Sequence, residues 1–166
     1  MTPNKQLRVK LFEAVRDIPY YLGEEGKNAS CGAKAKLLSK LLEAIGLRCR
    51  LVYCYFTWAE TNIPKEIVNR APQAKASHVL LKVYVPENKK WVFVDPTWDS
   101  GLKTHFKISQ WDGVSNTTIA VPTKRFYYLK DEKGQEISCQ KFQVRNFDPQ
   151  KGYTKVLNRW FDKIRK

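Results

Sequence analysis

A cysteine is a useful nucleophile only as its thiolate, and the thiolate is favoured where a helix N-terminus or an imidazolium lies beside the sulfur. The 166-residue chain holds four cysteines, Cys31, Cys49, Cys54 and Cys139, and two histidines, His78 and His105. Cys31 opens a run in which Leu37, Leu38, Leu41, Leu42 and Ile45 recur at helical spacing before Gly46. That pattern places it at a helix N-terminus. His78 opens the strand-like run His78-Val79-Leu80-Leu81-Lys82-Val83-Tyr84-Val85, and Asp95 closes Lys90-Trp91-Val92-Phe93-Val94-Asp95. Pro86-Glu87-Asn88-Lys89 between them is a hairpin signal. The start of one hairpin arm and the end of the other lie at the same end of a sheet, so both side chains can face one partner. The expected roles are Cys31 as nucleophile, His78 as general base and Asp95 as the group that orients His78. Backbone N–H groups at the start of the Cys31 helix, that of Cys31 included, would stabilise an oxyanion. A second donor would come from Tyr20, Asn28 or a tryptophan. Trp58 and Trp98 flank the site in sequence and, with Tyr20 and Asn28, are the expected substrate contacts.

Each of these residues also has a plainer use. A cysteine by itself is more often a small buried side chain than a nucleophile; His78 and Asp95 on adjacent strand ends favour the triad. Asp95-Pro96-Thr97 also reads as a turn in which the carboxylate caps local amides, and the two roles are compatible on different oxygens. His105 reads as a surface residue. Cys49 and Cys54 read as structural thiols within a strand, and Cys139 has no evident partner. Lys34 and Lys36 are close to Cys31 along the chain, so a local positive field on the sulfur is a weak expectation. Two histidines and unclustered cysteines supply no metal-ligand spacing, and no cofactor is expected.

The elements that must position these residues follow from periodicity. Leu7, Leu11, Phe12, Val15 and Ile18 predict a helix of about four turns capped by Thr2-Pro3. Residues 23–30 read as polar loop. Leu51, Tyr53 and Tyr55 alternate with Arg50, Val52 and Cys54 as a strand. Residues 58–76 read as irregular, with one helical turn near 64–68, and short strands are expected at 117–121, 125–129 and 136–142. Val156, Leu157, Trp160, Phe161 and Ile164 predict a basic amphipathic C-terminal helix, whose expected use is a packed face and a solvated one. Size and an apolar content of 43% suit a single domain over residues 1–166 with one core. Thirty Lys and Arg against sixteen Asp and Glu give a net charge of +14, favouring anionic partners. The usual nucleic-acid-binding motifs are absent, so nucleic acid is not the expected partner. No stretch is long and apolar enough to span a bilayer, and no signal-like run opens the sequence, so the chain reads as cytoplasmic.

The run Ser30-Cys31-Gly32-Ala33-Lys34-Ala35-Lys36-Leu37-Leu38, continued by Leu41-Leu42-Glu43-Ala44-Ile45-Gly46-Leu47, resembles the nucleophile helix of transglutaminase-like proteins. His78 opening a strand and Trp91-Val92-Phe93-Val94-Asp95-Pro96-Thr97-Trp98-Asp99 are similar to the family's histidine and aspartate segments. Val15-Arg16-Asp17-Ile18-Pro19-Tyr20 is similar to its leading helix. His78 follows Cys31 by 47 residues and Asp95 follows His78 by 17, in the family's order. The resemblance implies an α+β, papain-like core in which the cysteine helix packs on an antiparallel sheet carrying His78 and Asp95. It also implies acyl transfer from an amide through a Cys31 thioester, in a protein or peptide that the net charge favours being acidic. Hydrolysis, as by a peptidase or amidase, is preferred over transfer to an amine, because neither an acidic cluster for calcium control nor extra domains accompany the core. The alternative is a catalytically idle basic module that binds an acidic protein or nucleic acid.

Overall fold

The computed structural model describes residues 4–24, 27–144 and 152–166; the side chains of Glu24, Lys27 and Asn28 lie outside the described residues. Helix α1 (Lys5–Arg16) is capped by Asn4, whose side chain accepts from the Gln6 N–H at 2.8 Å. It is 12 residues long and starts later than the Thr2-Pro3 reading, which falls outside the described residues. Phe12 and Val15 face the core. Helix α2 (Cys31–Ala44) begins at Cys31 because Ser30, in extended conformation, turns its hydroxyl back to the Ala33 N–H. It ends where Gly46 takes φ +89°. Ala35, Leu38 and Leu42, each 0% exposed, lay α2 on the sheet.

That sheet comprises β3 (Cys49–Thr57), β4 (Lys75–Val85), β5 (Lys90–Val94) and β6 (Tyr127–Tyr128), antiparallel throughout, in the order β5-β4-β3-β6. Alternation divides it into two covered faces. Leu51, Leu81, Val83 and Val94 turn towards α1 and α2. Val52, Cys54, Phe56 and Leu80 turn the other way, into a second apolar cluster. The strand alternation read in residues 50–55 therefore holds, with apolar neighbours on both sides. The chain has an α+β fold, as the sequence predicted.

Several local readings differ. His78 does not open its strand: β3 runs on to Thr57, which pairs with Lys75, so β4 starts three residues earlier. Residues 23–30 are not loop throughout; β1 (Tyr21–Glu24) and β2 (Lys27–Ala29) pair antiparallel. Polar composition hides this hairpin, whose outer edge is met by helix α4 (Tyr153–Ile164): Asn158 accepts from the Leu22 N–H and donates to the Leu22 carbonyl, both at 3.0 Å. Residues 117–121 are not a strand. They follow β5 by isolated contacts, the Thr117 N–H to the Phe93 carbonyl at 2.9 Å and the Phe93 N–H to Asn116 Oδ1 at 2.8 Å, because side chains there replace a regular ladder. Of residues 125–129 only Tyr127–Tyr128 pair, and residues 136–142 contribute a single bridge, Lys130 to Glu136. The helical turn near Pro64 is present as α3 (Lys65–Val68).

Buried cations fasten the long stretch after β5 to α1. Arg8, 0% exposed, donates to Glu87 Oε1 at 2.6 Å and to the Gly113 carbonyl at 3.0 Å. Gly113 is at φ +84°, and a Cβ there would sit 3.1 Å from the Lys5 carbonyl oxygen, so a glycine is required for this approach. Arg16 donates to the Ser109 carbonyl at 3.2 Å. The apolar face of α4, with Tyr153, Leu157 and Phe161, closes the second cluster against Tyr20 and Trp98. No helix among the described residues is long and apolar enough to cross a membrane.

Candidate active site

His78 and Asp95 lie on the same face of the sheet. Pairing Leu81 with Val94 puts Asp95 one step past the end of β5, diagonal to His78 and in reach of it. His78 Nε2 and Asp95 Oδ2 are 2.8 Å apart and both side chains are buried. Cys31 and His78 line the same cleft, and the His78 ring and the Val79 N–H are the groups that act on the Cys31 sulfur. With Nε2 given to Asp95, Nδ1 is the ring nitrogen left for the sulfur. The pairing of β4 with β5 reaches back only to Leu81. Helix α2 packs against β4.

The two oxygens of Asp95 divide their work. Oδ1 accepts from the Thr97 N–H at 3.1 Å and from the Thr97 hydroxyl at 2.5 Å, the local turn expected of Asp-Pro-Thr. Oδ2 accepts from His78 and from the Ala120 N–H at 2.8 Å. The Thr117 hydroxyl accepts from the Asp95 N–H at 2.9 Å. Burial raises the Asp95 carboxyl, but the His78 charge and these donors outweigh it and hold the group below its ordinary range. Burial likewise pushes the Cys31 thiol up, and Asp95 adds to that, while the charge and hydrogen bond of His78 and the Val79 amide bring it below an ordinary cysteine. For His78, burial opposes the charge, yet Asp95 and Cys31 lift the imidazole well above its ordinary value. Each of the three groups is shifted towards its charged form by the neighbours it faces.

Lys34 does not supply the field on the sulfur that its position suggested. Its ammonium, 1% exposed, turns away to the carbonyls of Arg16 at 2.7 Å, Ile18 at 2.8 Å and Thr97 at 2.8 Å. Burial depresses it to about 8, against the pull of Asp99, Asp95 and Asp17. Lys36 is likewise engaged with the Phe142 carbonyl. Lys34 thus ties the nucleophile helix to the end of α1 and to the turn that holds Asp95. Asp99 plays a parallel part, accepting from the Tyr20 N–H and from Arg165 of the C-terminal helix's cap, each at 2.8 Å.

A cleft of about 320 Å³ opens over Cys31 and His78. Tyr20, Trp58 and Trp98, expected as substrate contacts, all line it. Trp98 is a wall and not a free donor, because its Nε1 donates to the Ala120 carbonyl at 2.9 Å. Tyr20 packs edge-on to Trp98, ring centroids 4.8 Å apart. The Asn28 side chain lies outside the described residues, so its expected role finds no geometry. Lys75 is the charged side chain on the rim, and among the described lining residues no carboxylate appears. His105 is exposed, beside Thr104 and Trp160, as read. Cys49, Cys54 and Cys139 are unpaired thiols that burial shifts towards the neutral form. Among the described residues no cluster able to hold a metal is found.

Sequence reasoning missed Thr117, Ala120 and Tyr153, which act from distant parts of the chain and carried no local signal. The Asp95-Pro96-Thr97 turn was legible, and Lys34 was singled out for a field on the sulfur and not for the carbonyls it binds.

Residues 10–96 match the transglutaminase-like superfamily, a span that covers more than half of the chain and contains Cys31, His78 and Asp95. The chain belongs to the transglutaminase-like superfamily. Proteins of this superfamily generally perform cysteine-dependent acyl transfer or hydrolysis, and some are inactive. Searches of curated proteins and of solved structures gave no match.

Proposed function

We propose that this transglutaminase-like protein cleaves amide bonds through a Cys31 thioester, with water as the acyl acceptor. The observation that carries the reading is the buried 2.8 Å contact of His78 with Asp95, at a cleft that Cys31 and His78 both line. The thiolate attacks the amide carbonyl carbon, and the carbonyl π electrons move to oxygen. The Cys31 N–H, at the first turn of α2 where no intrahelical acceptor exists, faces the developing charge. Collapse breaks the C–N bond while the imidazolium of His78 gives its proton to the leaving amine. His78, now neutral, takes a proton from water as the water oxygen attacks the thioester. Collapse of that second adduct returns the carboxylic acid and the Cys31 thiolate.

Water is favoured over an amine acceptor by the charge of the cleft. A lysine ammonium approaching the thioester meets Lys75 on the rim, and no carboxylate among the described lining residues compensates. The same sign favours neutral or acidic peptides as acyl donors.

The test is the pH dependence of Cys31 alkylation by iodoacetamide, located by mass spectrometry. Cys31 lies below and His78 above their ordinary values, so the reactive pair persists between those two limits, and Cys31 should alkylate with an apparent midpoint well below about 8.5. In His78→Ala burial remains without its compensation, so the midpoint should rise past that value. A Cys31 that reacts as an ordinary thiol and ignores His78 would sink the reading and leave the basic binding module.

A further inference from the structure

Two polar groups in the cleft are left without partners. Trp58 Nε1 and the Tyr153 hydroxyl are buried and have no hydrogen-bond partner among the described residues. Trp58 is 9% exposed and Tyr153 is 4% exposed, and both line the cleft that opens over Cys31 and His78. They also face one another, with ring centroids 5.3 Å apart at 80°. Buried N–H and O–H groups are nearly always paired, and an unpaired one carries its desolvation cost uncompensated. Two such groups side by side in a cleft beside a nucleophile mark a place where an acceptor is supplied from outside.

The positions are held by contacts that do not involve the two donors. The Trp58 N–H donates to the Ala74 carbonyl at 3.0 Å, and its carbonyl accepts the Thr61 hydroxyl at 2.6 Å. Its ring stands edge-on to Phe56, centroids 4.9 Å apart. Tyr153 is the first residue of α4, after Gly152 at φ +92°, and α4 is anchored further along by Asn158 and Arg165.

We propose that Trp58 Nε1 and the Tyr153 hydroxyl together read a second, neutral carbonyl oxygen on the acyl portion of a peptide-like substrate, an apolar side chain of which packs beside them. This rests on the amide-cleavage reading above. The acyl portion is the one that stays attached through both half-reactions, so it gains from a closed, desolvated subsite, whereas the amine portion must leave. The oxygen is neutral because two neutral donors do not compensate a buried carboxylate, and the one charged rim residue, Lys75, is exposed. The apolar flank is supplied by Phe56, Ile63 and Leu157. Entry of the oxygen between the two donors parts the rings and satisfies both groups, a local fit that rewards the correct acyl group.

The experiment compares two alkylating probes on the full chain: acetyl-phenylalanine chloromethyl ketone and its counterpart lacking the acetamido group. Both form a sulfur–carbon bond to Cys31 with loss of chloride. Each rate is divided by the same probe's rate with glutathione and followed by intact mass. The wild type should favour the acetamido probe by about tenfold or more. Trp58→Phe and Tyr153→Phe should each erase most of that preference, measured against each variant's own iodoacetamide rate on Cys31. Because the hydroxyl has no partner to lose, Tyr153→Phe should also melt no lower than the wild type. Equal rates for the two probes with a Cys31 that iodoacetamide labels readily, a preference that survives in both variants, or a Tyr153→Phe that melts several degrees lower would each overturn the subsite. A Cys31 inert to iodoacetamide would instead overturn the catalytic reading on which it rests.

Discussion

Lys34→Met removes a buried ammonium while keeping the length and apolar stem of the side chain. Three carbonyl oxygens, of Arg16, Ile18 and Thr97, then lose donors now at 2.7, 2.8 and 2.8 Å. Hydrogen bonds to a charged group contribute about 1.5–3 kcal/mol each, less the cost of desolvating the ammonium, and breaking a buried charged network by removing one member costs about 3–5 kcal/mol. For a domain of this size that is a fall in melting temperature of about 6–20 °C. The same ammonium gives the loss a pH signature. The folded group sits at about 8 against 10.5 for the free side chain, because burial outweighs Asp99, Asp95 and Asp17. The unfolded chain therefore binds more protons between those values, and wild-type stability gains from this group as pH rises through the window and loses it again as pH falls through about 8. The methionine variant lacks that gain, so the gap between the two proteins should widen from pH 7 to pH 10 by about 2.5 kcal/mol. Urea unfolding followed by tryptophan fluorescence at the two pH values measures it. A variant within about 1 kcal/mol of the wild type at pH 7 would refute the assignment of Lys34 as the tie between α2 and the Asp95 turn, and a gap that narrows with pH would refute the lowered ammonium.

Three further outcomes follow from the same contacts. Asp95→Asn should be severe: every neighbour of both oxygens is a donor, so the new NH₂ faces either Thr97 or the His78–Ala120 pair, at a stability cost of about 1.5–3 kcal/mol and with the Cys31 alkylation midpoint moved up. Thermal melts and the iodoacetamide pH profile read the two effects separately, and an unchanged profile would count against the orienting role. Cys31→Ala should abolish amide turnover with the melting temperature kept within a few degrees, and residual turnover at the wild-type rate would end the thioester mechanism. Asn158→Ala should cost about 1–3 kcal/mol by leaving the Leu22 N–H and carbonyl unpaired, and amide hydrogen exchange should show β1 losing protection first.

The sequence by itself determined the order Cys31, His78, Asp95, the helix that starts at Cys31 and the hairpin that carries the other two. Those features are local: a capping serine and a heptad-like apolar face for α2, alternation and a turn for β4 and β5. Even the double use of Asp95 was legible, since an Asp-Pro-Thr turn occupies one oxygen and leaves the other. What holds the carboxylate from the far side was not legible. Thr117 and Ala120 reach it from a segment that reads as a strand but follows β5 through side chains, and only the bonds from Arg8 and Arg16 of α1 to Gly113 and Ser109, with Trp111 packed on Phe12, decide where that segment lies. The hairpin of β1 and β2 was hidden for the same reason, its edge being met by Asn158 from the opposite end of the chain. Lys34 shows the limit most clearly. Three residues after Cys31, a lysine reads as a positive field on the sulfur, and it becomes a buried tie only because three carbonyls from two separate segments converge on it. Periodicity and capping report which face a residue occupies, whereas partners many residues away are set by the packing of whole elements, which leaves no mark in the local pattern.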